Sequence, residues 1–180
     1  IVEGYAIVFN QQSRKLYDRA SKKVFTEVID PRAITSAFLA EQDIKMLYNH
    51  SNDMLLARST FGVGTLQYEV DEYGVKYRFE MPNTSTGNDV LELIRRGDVF
   101  GCSFAFSYAK DGVRDEKKSG QNYRTVIQMA SISDFSIVVD PAYLGTYVST
   151  REFHAPDEDS APDMAGIMNV KLAMLELENL

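Results

Sequence analysis

Seven stretches of this chain are crowded with β-branched and aromatic residues, and they constrain its fold more than any other feature. They are EGYAIVF (3–9), FTEVI (25–29), IKMLYN (44–49), FGVGTLQYEV (61–70), VKYRFEM (75–81), GDVFGCSFAFS (97–107) and RTVIQMASISDFSIVV (124–139). Such residues favour pleated, half-buried backbone. DEYG at 71–74 reads as a hairpin turn between two of them. Two helical signals interrupt the series. DPRAITSAFLA (30–40) offers Asp30 as N-cap and Pro31 at the first helical position. TSTGNDVLELIRRG (84–97) opens on capping hydroxyls and closes on Arg95, Arg96 and Gly97. The pattern predicts a mainly β fold, a barrel or sandwich, with peripheral helices packed outside.

At 180 residues, 44% hydrophobic and 25% charged, the chain suits one domain with a real core. The net charge of −7 is unevenly placed, because six acids and one lysine fall from Ala155 onward. No basic stripe with interleaved aromatics is present, which excludes the electrostatic footprint of nucleic-acid binding. No apolar run reaches the roughly 18 to 20 residues of a membrane span, and the N-terminus lacks a secretory layout. The chain starts at Ile1, so leading residues are expected to have been trimmed or omitted. Its one cysteine, Cys102, excludes an internal disulfide and a multi-cysteine zinc site, and fits a reducing cytoplasm. No cofactor or metal is expected.

The stretch 97–107 carries an unusual alternation. A two-residue period puts Phe100, Cys102, Phe104 and Phe106 on one face, and Val99, Gly101, Ser103, Ala105 and Ser107 on the other. One face is bulky; the other is nearly bare. A nucleophilic serine needs an open approach and an imidazole within reach, and Gly101 and Ala105 would leave that space beside Ser103. Small residues also simply let another element pack closely. Cys102 points with the phenylalanines and is expected to be an inert core residue.

There are two histidines. His50 follows a strand-like segment and opens the polar loop SND; His154 sits at the edge of an acidic stretch. Position at a strand end favours His50 as an acid–base group. Asp134 lies mid-strand in SISDFSIVV, where the period of two places it with Ile132, Ser136 and Val138. A carboxylate in so apolar a strand needs a partner, either a structural Arg or backbone donor, or His50. Gly62 and Gly64 lack a dinucleotide-binding context and are expected to permit sheet bending.

Taken in order, EGYAIVFN, FTEVIDPRAI, LYNHS, GVGTLQYEVDEYGVKYRFEMPNT, VLELIRRGDVFGCSFAF and ISDFSIVVDPAYLGTYVSTR resemble the HK97-type prohead maturation serine proteases of tailed phages, from residue 1 to about 151. The resemblance implies Ser103 as nucleophile in a G-x-S-F-x-F strand and His50 as general base and acid in an NH segment. Asp134 would be the orienting acid, where the family more usually has Glu. It implies a closed or nearly closed β-barrel like that of herpesvirus assemblins. The expected organisation is a protease barrel over 1–153, an acidic linker over 154–163, and a helical tail over 164–180 that is scaffold-like or removed by self-cleavage. The implied activity is a serine endopeptidase inside the immature phage prohead, in the host cytoplasm. Its implied partner is the phage major capsid protein, whose scaffolding region it removes, and related proteases often work as homodimers. No nucleic-acid or membrane partner is expected. The alternatives are an inactive capsid-assembly scaffolding module with the same barrel, or a β-barrel ligand binder.

Overall fold

A computed structural model describes residues 1–19 and 21–150. In chain order these form β1 (Val2–Val8), β2 (Leu16–Asp18), β3 (Lys23–Ile29), a 3-10 turn (Pro31–Ala33), α1 (Ser36–Ala40), β4 (Asp43–Tyr48) and β5 (Ser51–Thr60). Then follow β6 (Val63–Gly64), β7 (Gln67–Val70), β8 (Gly74–Phe79), α2 (Ser85–Arg96), β9 (Gly101–Tyr108), β10 (Val113–Lys118), β11 (Gln121–Val126), β12 (Met129–Val138) and β13 (Tyr147–Thr150). The expected linker 154–163 and tail 164–180 lie outside the described residues.

The strands build three sheets, ordered β13-β1-β8-β7, β10-β11-β3-β2 and β6-β5-β4-β12-β9. None closes on itself, so the expected barrel is corrected to three open sheets. A physical reason is visible at β9, the edge of the five-stranded sheet. Closure would need a further strand along that edge. Instead the Thr146 hydroxyl accepts the Cys102 N–H at 3.2 Å and approaches the Cys102 carbonyl oxygen at 2.5 Å. Beside it β13 makes one backbone bond to the start of this edge, from the Val148 N–H to the Phe100 carbonyl at 2.9 Å, and no ladder joins the two sheets there.

All three sheets contribute to one hydrophobic cluster. It includes Val2 and Ile7 from the first sheet, Ile29 and Val126 from the second, and Met46, Phe135 and Ile137 from the third. α2 is capped by Thr84, whose hydroxyl accepts the Gly87 N–H, and ends at Gly97 in the left-handed region. It buries Val90 and Ile94, one turn apart, against that core. The first helical signal divides in two. Asp30 caps only the short 3-10 turn, Ile34 is extended, and Thr35 caps α1 afresh.

Three hairpins turn on two residues at positive φ: Asn49-His50 (49° and 55°), Phe61-Gly62 (51° and 80°) and Ser119-Gly120 (50° and 80°). This is the pattern whose twist matches paired strands. Gly62 thus serves a turn between β5 and β6 rather than a bend within one strand. The segment 51–53, expected as a loop, begins β5, but its pairing with β4 is irregular between Ser51 and Leu55.

Candidate active site

β12 lies between β4, which it pairs in parallel, and β9, which it pairs antiparallel. β9 keeps the expected alternation. Cys102 is fully buried and Phe104 nearly so, while Ser103 and Ala105 are half-buried on the opposite face. β12 departs from it. Ile132 pairs Phe106 but Asp134 pairs Ala105, so Ser133 is an extra residue on one side of the ladder. The bulge puts Ile132 in the core and turns Asp134 to the thin face, which corrects the expectation that the two share a face. Beyond it, Ser136 pairs Ser103. Directly opposed residues of an antiparallel pair project to the same side, so Ser103, Ala105, Asp134 and Ser136 form one small patch.

The Asn49-His50 turn adds the imidazole. Asn49 donates its backbone N–H to the Ile137 carbonyl at 2.9 Å, and His50 donates its own to Ser136 Oγ at 3.1 Å. Anchored to β12 in this way, the turn places His50 Nδ1 2.7 Å from Asp134 Oδ1. The imidazole is 40% exposed and the carboxylate 11%. Of the two partners open to Asp134 from sequence, the structure brings His50, and the shorter aspartate reaches it.

Asp134 Oδ1 also accepts from Ser136 Oγ at 2.9 Å, and Oδ2 from Ser133 Oγ at 3.2 Å. Burial pushes this carboxyl up, but the hydrogen bonds from His50 and Ser136 outweigh it and hold the group below its ordinary range. A carboxylate that stays ionised keeps the imidazole Nδ1 protonated and leaves Nε2 free to accept a proton. Among the described residues no hydrogen bond joins Ser103 to His50.

The bare face is not all open space. A Cβ on Gly101 would stand 2.5 Å from Pro141 Cγ, so that glycine admits the ring of Pro141. From the same loop Thr146 holds Cys102, and its hydroxyl also lies 2.8 Å from the Tyr143 carbonyl. Tyr143 stacks on Phe104 with centroids 5.7 Å apart and donates its hydroxyl to buried Glu27 at 2.8 Å. Tyr108 donates to the other Glu27 oxygen at 2.6 Å. The strand bearing Ser103 is therefore clamped at both ends. Sequence reading placed Ser136 on the face of Asp134 without giving it a role, and missed Pro141, Thr146 and Glu27; an acid within the apolar FTEVI was the available signal for the last.

Cys102 is fully buried, and that burial pushes its thiol up, away from the reactive thiolate. The neighbouring Ser103 is the accessible candidate. His154 lies outside the described residues.

A serine beside a histidine–carboxylate pair on one sheet face is an arrangement of the serine hydrolase class. Residues 1–159 match the family model of the caudovirus prohead serine protease, and the chain belongs to that family. It is a serine protease of phage prohead maturation. No curated protein matches it.

Proposed function

We propose that Ser103 is the nucleophile of this protease, His50 its general base and acid, and Asp134 the carboxylate that orients His50. The observation that carries the assignment is the 2.7 Å contact of His50 Nδ1 with Asp134, on the sheet face that Ser103 shares. Ser103 Oγ attacks the scissile carbonyl and gives its proton to His50 Nε2. His50 returns that proton to the leaving amine as the C–N bond breaks. Water, deprotonated by the same imidazole, then hydrolyses the acyl-enzyme ester. The bond between serine and histidine is commonly long without substrate and tightens in the complex.

The substrate in this reading is the N-terminal scaffolding region of the major capsid protein, cut inside the immature prohead, together with the enzyme's own tail. Membership of a prohead protease family supports it. The test is fluorophosphonate labelling of wild type, Ser103→Ala and His50→Ala, with the adduct located by peptide mass spectrometry. An adduct on Ser103 that needs His50 is expected; labelling elsewhere, or persisting in Ser103→Ala, overturns the assignment. Cleavage of the cognate capsid protein tests the substrate separately.

A further inference from the structure

Asp134 Oδ1 receives two donors, and the second, Ser136 Oγ, touches both members of the pair. It gives its proton to Asp134 at 2.9 Å and accepts the His50 backbone N–H at 3.1 Å. These roles cannot be exchanged, because the ionised carboxylate only accepts and the amide only donates. The hydroxyl therefore has one orientation. Any buried serine has to find partners, and Ser136 is fully buried. What distinguishes this one is that its partners are the carboxylate and the backbone of the residue that carboxylate must orient.

The need for such a link follows from the turn. His50 stands at φ 55°, a region disfavoured for side chains with a Cβ, and its imidazole is 40% exposed. A mobile turn would let the ring drift from Asp134. Backbone hydrogen bonds from Asn49 and His50 to β12 hold the turn, and the second of these ends on Ser136.

We propose that Ser136 is a positioning residue: through one hydroxyl it sets the rotamer of Asp134 and the backbone of His50, fixing both ends of their hydrogen bond. The proposal rests on the site assignment above. It predicts that Ser136 matters to catalysis only while Asp134 is present.

The experiment measures the second-order rate of fluorophosphonate labelling at Ser103 in the full 180-residue chain, for wild type, Ser136→Ala, Asp134→Ala and the double variant. Ser136→Ala is expected to slow labelling about ten- to a hundredfold, as for loss of a hydrogen bond to a charged group. The double variant is expected to label no more than about twofold slower than Asp134→Ala alone. Equal penalties in both backgrounds, or a wild-type rate in Ser136→Ala, overturn the proposal. Proton NMR supplies a readout that a merely structural serine would not move. The downfield Nδ1 proton, identified by its absence in His50→Ala, should shift or exchange with water in Ser136→Ala; an unchanged resonance counts against the role. If Ser136→Ala does not fold, Ser136→Cys, of similar volume and weak donor strength, runs the same cycle. If Asp134→Ala and His50→Ala label like wild type, the site assignment itself has failed. If they slow while Ser136→Ala does not, only the role of Ser136 falls.

Discussion

His50 and Gly62 hold the same place in two successive hairpins, the second residue of a two-residue turn with φ positive throughout. Glycine takes that conformation without steric cost, and a side chain does not. At its second position the turn carrying the proposed base therefore accepts strain that Gly62 spares the next one. His50→Gly and His50→Ala both remove the imidazole, but only alanine retains the Cβ. The glycine variant should be more stable than the alanine variant by about 1 kcal/mol, or roughly 2–4 °C in Tm for a chain of this size. Thermal melting of the two checks this, and equal melting would mean the turn is not strained at His50.

Gly101→Ala places a Cβ 2.5 Å from Pro141 Cγ, two residues before Ser103. Ring and strand must part, at a cost of about 1–3 kcal/mol. Urea unfolding should show the loss, and labelling at Ser103 should slow because the strand edge moves. Wild-type stability and labelling together would show that the proline yields freely.

Thr146→Val keeps the shape of the side chain and deletes the hydroxyl that engages the Cys102 N–H and carbonyl. Leaving those buried groups unpaired should cost about 1–3 kcal/mol. Thr146→Ser, which retains the hydroxyl, should recover most of it. Chemical denaturation of the three proteins decides, and a serine variant no better than valine would assign the effect to packing.

Much of the fold was legible because its carriers are local. Periodicity along residues 97–107 separated the core side chains of β9 from Ser103, and Thr84 with Gly97 marked both ends of α2. The site was harder to read because it depends on pairing. An extra residue at Ser133 reverses the outlook of Ile132 and Ser131, up to a second register shift before Ser131, and alternation alone carries no mark of such bulges. β5 was missed because its first half, SNDM, is polar, exposed and irregularly paired. The barrel was expected because strand content is visible in residues, whereas closure depends on what meets the last edge. Here that includes Thr146, 44 positions along the chain from the Cys102 it meets.

Glu27 gives a pH dependence opposite to that of Asp134. Burial raises its pKa, the hydrogen bonds from Tyr108 and Tyr143 and the charge of Arg124 pull it back, and the nearby Asp115 adds to the rise. Unfolded glutamate titrates near about 4.3. Above that pH the unfolded chain has lost a proton that the native chain still holds, so this group's contribution to stability falls as pH rises through its folded value. Asp134, held below the ordinary range, contributes stability above about pH 3.9 that is lost as pH falls through its folded value. Glu27→Gln, which cannot titrate, should flatten the decline on the upper side. Unfolding free energy measured against pH for both proteins checks it, and parallel curves would show that Glu27 is ionised and native at the same cost as in the unfolded chain.

β12 is the last long strand among the described residues, yet it lies inside its sheet between β4 and β9, and 84 positions separate His50 from Asp134. A nascent chain that has emerged only as far as Gln128 holds the serine and the imidazole without the strand that brings them together. Contacts of such sequence separation carry a loop-closure cost that slows folding. The proposed histidine–carboxylate pair is therefore complete only once β12 lies between β4 and β9. Any chain cut short before β12 therefore lacks both Asp134 and the Ser136 anchor of the His50 turn, whatever else of it has folded.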